Sequence, residues 1–210
     1  MKVQSILLSA AALLVLASPS AFAQSSNPTP APAAAPATPP PPGTVGERKQ
    51  DQQDRIAQGV QSGQLNAGET KNLETKEAGL NKEEHTMRAD DDGHLTSADR
   101  TKLNNQQNHL SNQIYDDKHN ANTAHYGDSE VGQRREDQQD RIAQGMKSGQ
   151  LTAGESAKLE NQQQGINKEV SGMRQANGGK LTQADKRAVN QQQNRASRNI
   201  YDKKHNARRQ

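Results

Sequence analysis

One short turn is written four times: Ser62-Gly63-Gln64-Leu65, Asp92-Gly93-His94-Leu95, Ser148-Gly149-Gln150-Leu151 and Gly178-Gly179-Lys180-Leu181. Each is followed by a polar residue and, three places on, by an acid: Asn66 and Glu69, Thr96 and Asp99, Thr152 and Glu155, Thr182 and Asp185. This spacing is the capping box, in which the first side chain accepts from a free backbone N–H and the acid reaches back to another. The glycine just before it suits the left-handed residue that closes a preceding helix. Each turn therefore predicts a helix on either side of it.

The residues between the turns agree. Leu73, Leu80 and Met87 recur every seven residues, as do Leu159, Ile166 and Met173, while Leu103 and Leu110 lead on to Ile114. That period places the apolar side chains on one helix face. Nothing alternates with period two, so strands are not expected. The first set of helices is predicted at about Glu47 to Val60, Ala67 to Ala89 and Ser97 to Asn120.

A tandem duplication sets the larger scale. Val45-Gly46 and Val131-Gly132 open two copies offset by 86 residues, and 44 of the 80 aligned positions are identical without a gap. Internal repetition of this strength defines the architecture. The predicted fold is all-α, with two tandem repeats of about three helices each, residues 45–130 and 131–210. The core looks thin, with 25 Ile, Leu, Val, Met and Tyr residues from Val45 to Gln210 and no Trp or Phe. Elongated hairpins of low stability are the expectation, because one apolar residue per heptad hardly offsets backbone entropy of ~1–2 kcal/mol per residue.

Ahead of the repeats, residues 1–23 read as an export signal: Lys2, the apolar run Ile6 to Leu16, and Ala21-Phe22-Ala23 before the cleavage point. The run is too short for a bilayer core of ~30 Å. Residues 24–44 are rich in Pro and Ala and end in Pro39 to Pro42, a composition expected to form a disordered, extended tether. The mature chain is expected in the periplasm or outside the cell, with no transmembrane segment. Cysteine is absent, which removes disulfides, thiol catalysis and cysteine-based zinc sites.

Charge divides the copies, with a net of −6 over 45–130 and +8 over 131–210. Docking of one copy on the other, within or between chains, is one expectation. Contact of the basic copy with a polyanion through Arg134, Arg135, Arg208 and Arg209 is another. Nucleic acid is disfavoured, because only Tyr115, Tyr126 and Tyr201 could stack on bases and no recognition motif is present.

The turns also resemble EF-hand calcium loops at a distance. With Gly93 in the sixth place of such a loop, Asp90 falls third, Asp92 fifth and Asp99 twelfth, and these three are the candidate metal ligands for a weak Ca2+ site. Arg88 stands where the loop has its first acid, and the last ligand is Asp rather than Glu. The other three turns match less well, so they read as degenerate EF-hand-like units without an ion. No nucleophile elbow, phosphate-binding glycine loop or His-Glu-x-x-His is present, and the chain reads as a non-enzyme with no cofactor. Tyr115–His119 and Tyr201–His205 each put an aromatic and an imidazole one helical turn apart. They are expected either to close the end of a small core or to form a recognition surface.

Together, Arg-Ile-x-x-Gly, Ser-Gly-x-Leu-Thr-x-x-Glu and Ile-Tyr-x-x-Lys-His-Asn, standing at Arg55 to Asn120 and Arg141 to Asn206 (Asn66 replacing Thr in the first), resemble a group of uncharacterised secreted bacterial proteins. The resemblance implies bacterial export and a non-catalytic reading, and the helix faces and charge lead us to expect a structural or interaction role in the cell envelope, with an unknown protein or envelope polymer as partner. It transfers no functional residues.

Overall fold

A computed structural model describes residues 43–209; residues 1–42 and Gln210 lie outside the described part, and with them the export-signal reading and nearly all of the tether. Six helices account for the described chain: α1 Val45–Gln61, α2 Ala67–Asp90, α3 Ser97–His119, α4 Glu130–Lys147, α5 Ala153–Ala176 and α6 Gln183–Lys204. The all-α expectation holds, with no strand among the described residues.

The caps fix the boundaries. Complete capping boxes start α2, α3, α5 and α6 at Asn66, Thr96, Thr152 and Thr182. A fifth starts α1, where Thr44 accepts from the Glu47 N–H and Glu47 reaches back to the Thr44 N–H at 2.7 Å. That box moves the helix start from the expected Glu47 to Val45 and makes Thr44, which composition alone places in the tether, the cap of α1. Ser129 caps α4 at Glu130, so the sequence boundary at 130/131 falls inside a helix. Gly63, Gly93, Gly149 and Gly179 all adopt the positive φ that the turn pattern predicts.

Packing corrects the picture of elongated hairpins. α1, α2 and α3 pack on one another, as do α4, α5 and α6, but α1 also lies on α4 and α2 on α5. The main apolar cluster draws Ile56, Leu65, Leu73 and Ile114 from the first copy and Ile142, Met146, Leu151, Leu159 and Ile200 from the second. Gly68, at the start of α2, faces Gln164 in the middle of α5, and Gly154, at the start of α5, faces Ala78 in the middle of α2. These reciprocal contacts run α2 and α5 antiparallel. Nine of the ten most deeply buried Ile, Leu and Met side chains join the main cluster, four from the first copy and five from the second, so most of the thin apolar content is pooled, while smaller clusters around Leu103 and Val189 stay within single copies. At ~1.5–3 kcal/mol per buried apolar side chain, that pooling is the main favourable term in the fold.

The copies do not meet through their opposite charges. Among the described residues the ion pairs are Lys49–Glu84, Arg88–Glu84, Lys102–Glu83 and Arg208–Glu155, each within one copy. The contact expected from charge is made instead by apolar side chains and by a buried polar layer.

Candidate functional site

The acidic turn comes first because it carries the predicted metal ligands. α2 ends at Asp90, Asp91 caps it, and Asp92 takes φ 50 before Gly93 at φ 88. Arg88, standing in the place of an EF-hand's first acid, donates from Nε and Nη2 to Glu84 Oε1 at 3.0 and 2.9 Å. Its Nη1 donates to the Gly93 carbonyl at 3.3 Å, which puts the guanidinium across the turn. Asp99 accepts from the Thr96 N–H at 3.0 Å and the Thr96 hydroxyl at 2.6 Å, and those bonds hold its carboxyl below the usual range. Among the described residues, no three His, Cys, Asp or Glu side chains are grouped so as to hold a metal ion. Asp90, Asp92 and Asp99 thus share a turn in which the Asp99 carboxyl already caps α3 and the Arg88 guanidinium reaches across.

The corresponding turn of the second copy is solved differently. Asn177, in the place of Asp91, donates to Asp185 Oδ2 at 3.0 Å and to the Met173 carbonyl at 2.9 Å. Asp91 has no amide to give, and partial desolvation together with the neighbouring Asp99 and Asp90 raises its carboxyl.

A second arrangement, absent from the sequence reading, lies inside the helix packing. Glu74 on α2 and Glu160 on α5 occupy the same place in the two copies, and both are fully buried. Gln53 donates to Glu74 Oε2 at 3.2 Å and Gln139 to Glu160 Oε2 at 3.0 Å. Burial pushes Glu160 up to about 8 and Glu74 well above the usual carboxylate range, and the charge of Glu160 adds to the shift at Glu74. Glu77, one turn along α2, is raised to about 7 by burial, against the pull of Lys49 and with the push of Glu84.

This layer is short of donors. Gln52 donates to the Gln107 carbonyl at 2.7 Å and to Ser111 Oγ at 2.9 Å, and Gln138 does the same to Gln193 and Ser197 at 2.7 and 2.8 Å. Gln107 and Gln193 donate to the Val45 and Val131 carbonyls, both at 2.9 Å. Among the described residues, the buried side-chain atoms left without a partner are nearly all oxygens, including Oε1 of Gln52, Gln53, Glu74, Gln139 and Glu160 and Oε2 of Glu77. A buried acceptor facing other acceptors is costly, and a protonated carboxyl is the cheapest donor at hand. The geometry and the raised values therefore agree that Glu74 and Glu160 keep their protons at neutral pH and that Glu77 is poised to take one.

The Ile-Tyr-x-x-Lys-His-Asn motif also acquires a physical account. Ile114 and Ile200 enter the core. Tyr115 and His119 stack with ring centroids 4.1 Å apart, Tyr201 and His205 at 4.0 Å. Each imidazole Nδ1 donates to the tyrosine carbonyl at 2.7 Å, which fixes the ring against the helix end. Asn120 reaches Glu69 Oε1 at 3.0 Å and Asn206 reaches Glu155 Oε1 at 2.7 Å, so the motif clasps the end of one helix to the capping acid of another. The tyrosines themselves do not close the core, being 52% and 57% exposed. The glycine of Arg-Ile-x-x-Gly lets Leu65 and Leu151 approach: a Cβ on Gly59 or Gly145 would stand 2.6 Å from a leucine Cδ1.

The surface offers two open recesses. One, of about 410 Å³, is lined by Arg134, Asp137, Gln138, Asp140, Arg141 and Ser197; the other, of about 480 Å³, includes Lys76, Leu80, His109 and Leu110. The arginines picked from sequence for polyanion contact are largely engaged: Arg134 donates to Asn190 and Asn194, Arg135 lies 5.1 Å over the Tyr126 ring, and Arg208 pairs with Glu155 at 3.9 Å. Arg209 donates to the carbonyls of Asn206 and Arg208.

No family model, curated protein or solved structure matches the chain.

Proposed function

We propose that this chain is an exported, non-catalytic helical repeat protein that acts in the cell envelope as a structural or interaction module. One observation carries the reading: the acids with the most strongly raised affinity for protons are locked inside the helix packing. Glu74, Glu77 and Glu160 are each no more than 1% exposed, so a substrate cannot reach them. Catalytic acids and bases need such shifts in a cleft open to substrate. The outer faces of α3 and α6, with Tyr115 and Tyr201, remain for partners, and a protein or an envelope polymer fits them. No helix among the described residues is long and apolar enough to cross a membrane.

The test is to express all 210 residues in a Gram-negative host, fractionate the cells and sequence the amino terminus of the product. The reading expects a chain starting at Gln24 in the periplasm or medium. A photo-crosslinking residue at Tyr115 or Tyr201 should then couple to an envelope component, while one at buried Ile56 should not. An unprocessed chain confined to the cytoplasm overturns it.

A further inference from the structure

The outer face of α6 carries arginines that the fold does not use. Arg187, Arg195 and Arg198 are exposed and neither donate a hydrogen bond nor pair with an acid among the described residues. Their spacing, with exposed Gln191 between the first two, keeps them on one helix face over roughly 17 Å. Exposed Lys186 flanks the stripe at its start, and the Tyr201–His205 stack follows it with Asp202 as the nearest acid on that side. α3 presents the same face with Thr101, Asn105, His109 and Asn112, also exposed. The stripe belongs to one copy alone.

Resting on the reading of an exported envelope protein, we infer that the Arg187–Arg195–Arg198 face of α6 docks the molecule on an anionic phospholipid surface. Charge complementarity requires an anionic occupant, and three features select among anions. A second copy of this chain is a poor match, because the exposed acids of the first repeat are scattered rather than lined up: Asp51 and Asp54 on α1, Asp90 and Asp92 at the turn after α2, Asp116 on α3, Asp128 ahead of α4 and Glu130 at its start. Glu74, Glu77 and Glu84 are buried, Glu47, Glu69 and Asp99 cap helices, and Glu83 pairs with Lys102. A nucleic acid would look for open aromatic faces, whereas the one tyrosine here is already stacked on His205. A single straight helix face with guanidinium groups in line suits a plane of phosphates, and with Tyr201, already stacked on His205, as the one large exposed ring beside the arginines, this is a contact with headgroups rather than an insertion.

The second repeat supplies its own control. Arg187→Thr, Arg195→His and Arg198→Asn together turn the α6 face into that of α3, using residues already borne at those places. Co-sedimentation of the exported protein with vesicles of 30% phosphatidylglycerol in phosphatidylcholine should show binding that pure phosphatidylcholine does not. Binding should weaken steeply between 50 and 200 mM salt, and the triple substitution should reduce it by about a hundredfold, since each basic residue near an anionic surface contributes about fivefold. The reverse change, Thr101→Arg with His109→Arg and Asn112→Arg, should strengthen it. Equal binding by wild type and triple variant overturns the inference, as does no binding to the anionic vesicles. Binding to a single-stranded oligonucleotide or to soluble polyphosphate but not to vesicles overturns it too. Helicity of the variant, read by circular dichroism, separates lost docking from lost fold, and failure here leaves the export test untouched.

Discussion

The two repeats share a frame and spend their differences in opposite places. In the first, Glu77 and Glu84 sit inside the helix packing; in the second, the same places hold Gln163 and Val170, also buried. In the second, arginines stand outside at 187, 195 and 198, where the first has Thr101, His109 and Asn112. The net charges of −6 and +8 therefore do not describe two facing surfaces. One copy has taken acid into its interior and the other has put base on its exterior. Net charge alone says nothing of where the charge lies.

The interior difference has a local consequence. In the second copy the amide of Gln163 donates to Gln138 Oε1 at 3.2 Å. In the first, the matching acceptor, Gln52 Oε1, has no partner, and Glu77 stands where the amide should be with Oε2 unpaired. A proton on Glu77 supplies what Gln163 supplies by covalent structure. The charged and titratable groups facing it are Lys49 from α1 and Glu84 from its own helix, with Glu74 a turn away.

The comparison can be broken most severely at the shared core. Leu159→Ala, on α5, should cost about 2–5 kcal/mol. Because Leu159 packs with Ile56, Leu73 and Ile114, the chain should still melt in one transition at a lower temperature. Two calorimetric transitions, with only the second copy affected, would show that the copies fold separately.

Exchange within the polar layer comes next. Gln163→Glu puts the first copy's acid into the second, and urea denaturation at pH 8 should find it less stable by roughly 3 kcal/mol, with a much smaller loss at pH 5. Equal losses at both pH values would point to packing rather than to the proton.

The acidic turn should respond least. Asp91→Asn, copying Asn177, should raise the melting temperature slightly at pH 7 and not at pH 3, where Asp91 already carries a proton. Millimolar calcium should leave the melt of the wild-type chain in place, since Arg88 spans the turn and Asp99 is held by Thr96. A calcium-dependent rise abolished by Asp92→Ala would instead establish the ion site at Asp90, Asp92 and Asp99.

Helix positions were legible because caps and heptads are local signals: Thr96-x-x-Asp99 and Leu73, Leu80, Met87 state their structure within a few residues. Thr44-x-x-Glu47 was equally local, but it sits against a proline-rich segment whose composition masked it. The joining of the copies was not legible. Counting apolar residues per helix cannot show that Ile56 and Ile142 belong to one cluster. Nor does hydrophobicity reveal Gln52, Gln53, Gln138 and Gln139 as interior residues, since glutamine is ordinarily outside. The available signal was repetition, because the pair Gln-Gln returns unchanged at 52–53 and 138–139 beside Ile56 and Ile142. The free arginines were hidden in the same way: sequence marks Arg134 and Arg187 alike, and only partners tell them apart.

The central claim is that the copies meet around acids kept neutral, and the most direct measurement is urea denaturation of the wild-type chain and Glu77→Gln at pH 5 and pH 8. A carboxyl whose native pKa is raised keeps its proton in the folded state while the unfolded chain releases it. Its stabilising contribution is complete below about 4.5 and is lost as pH rises through about 7 for Glu77 and about 8 for Glu160. Wild type should therefore be less stable at pH 8 than at pH 5. Glu77→Gln should match it closely at pH 5 and exceed it by roughly 3 kcal/mol at pH 8, still declining through Glu74 and Glu160. A wild-type chain as stable at pH 8 as at pH 5, or a variant that runs parallel to it, would contradict the account.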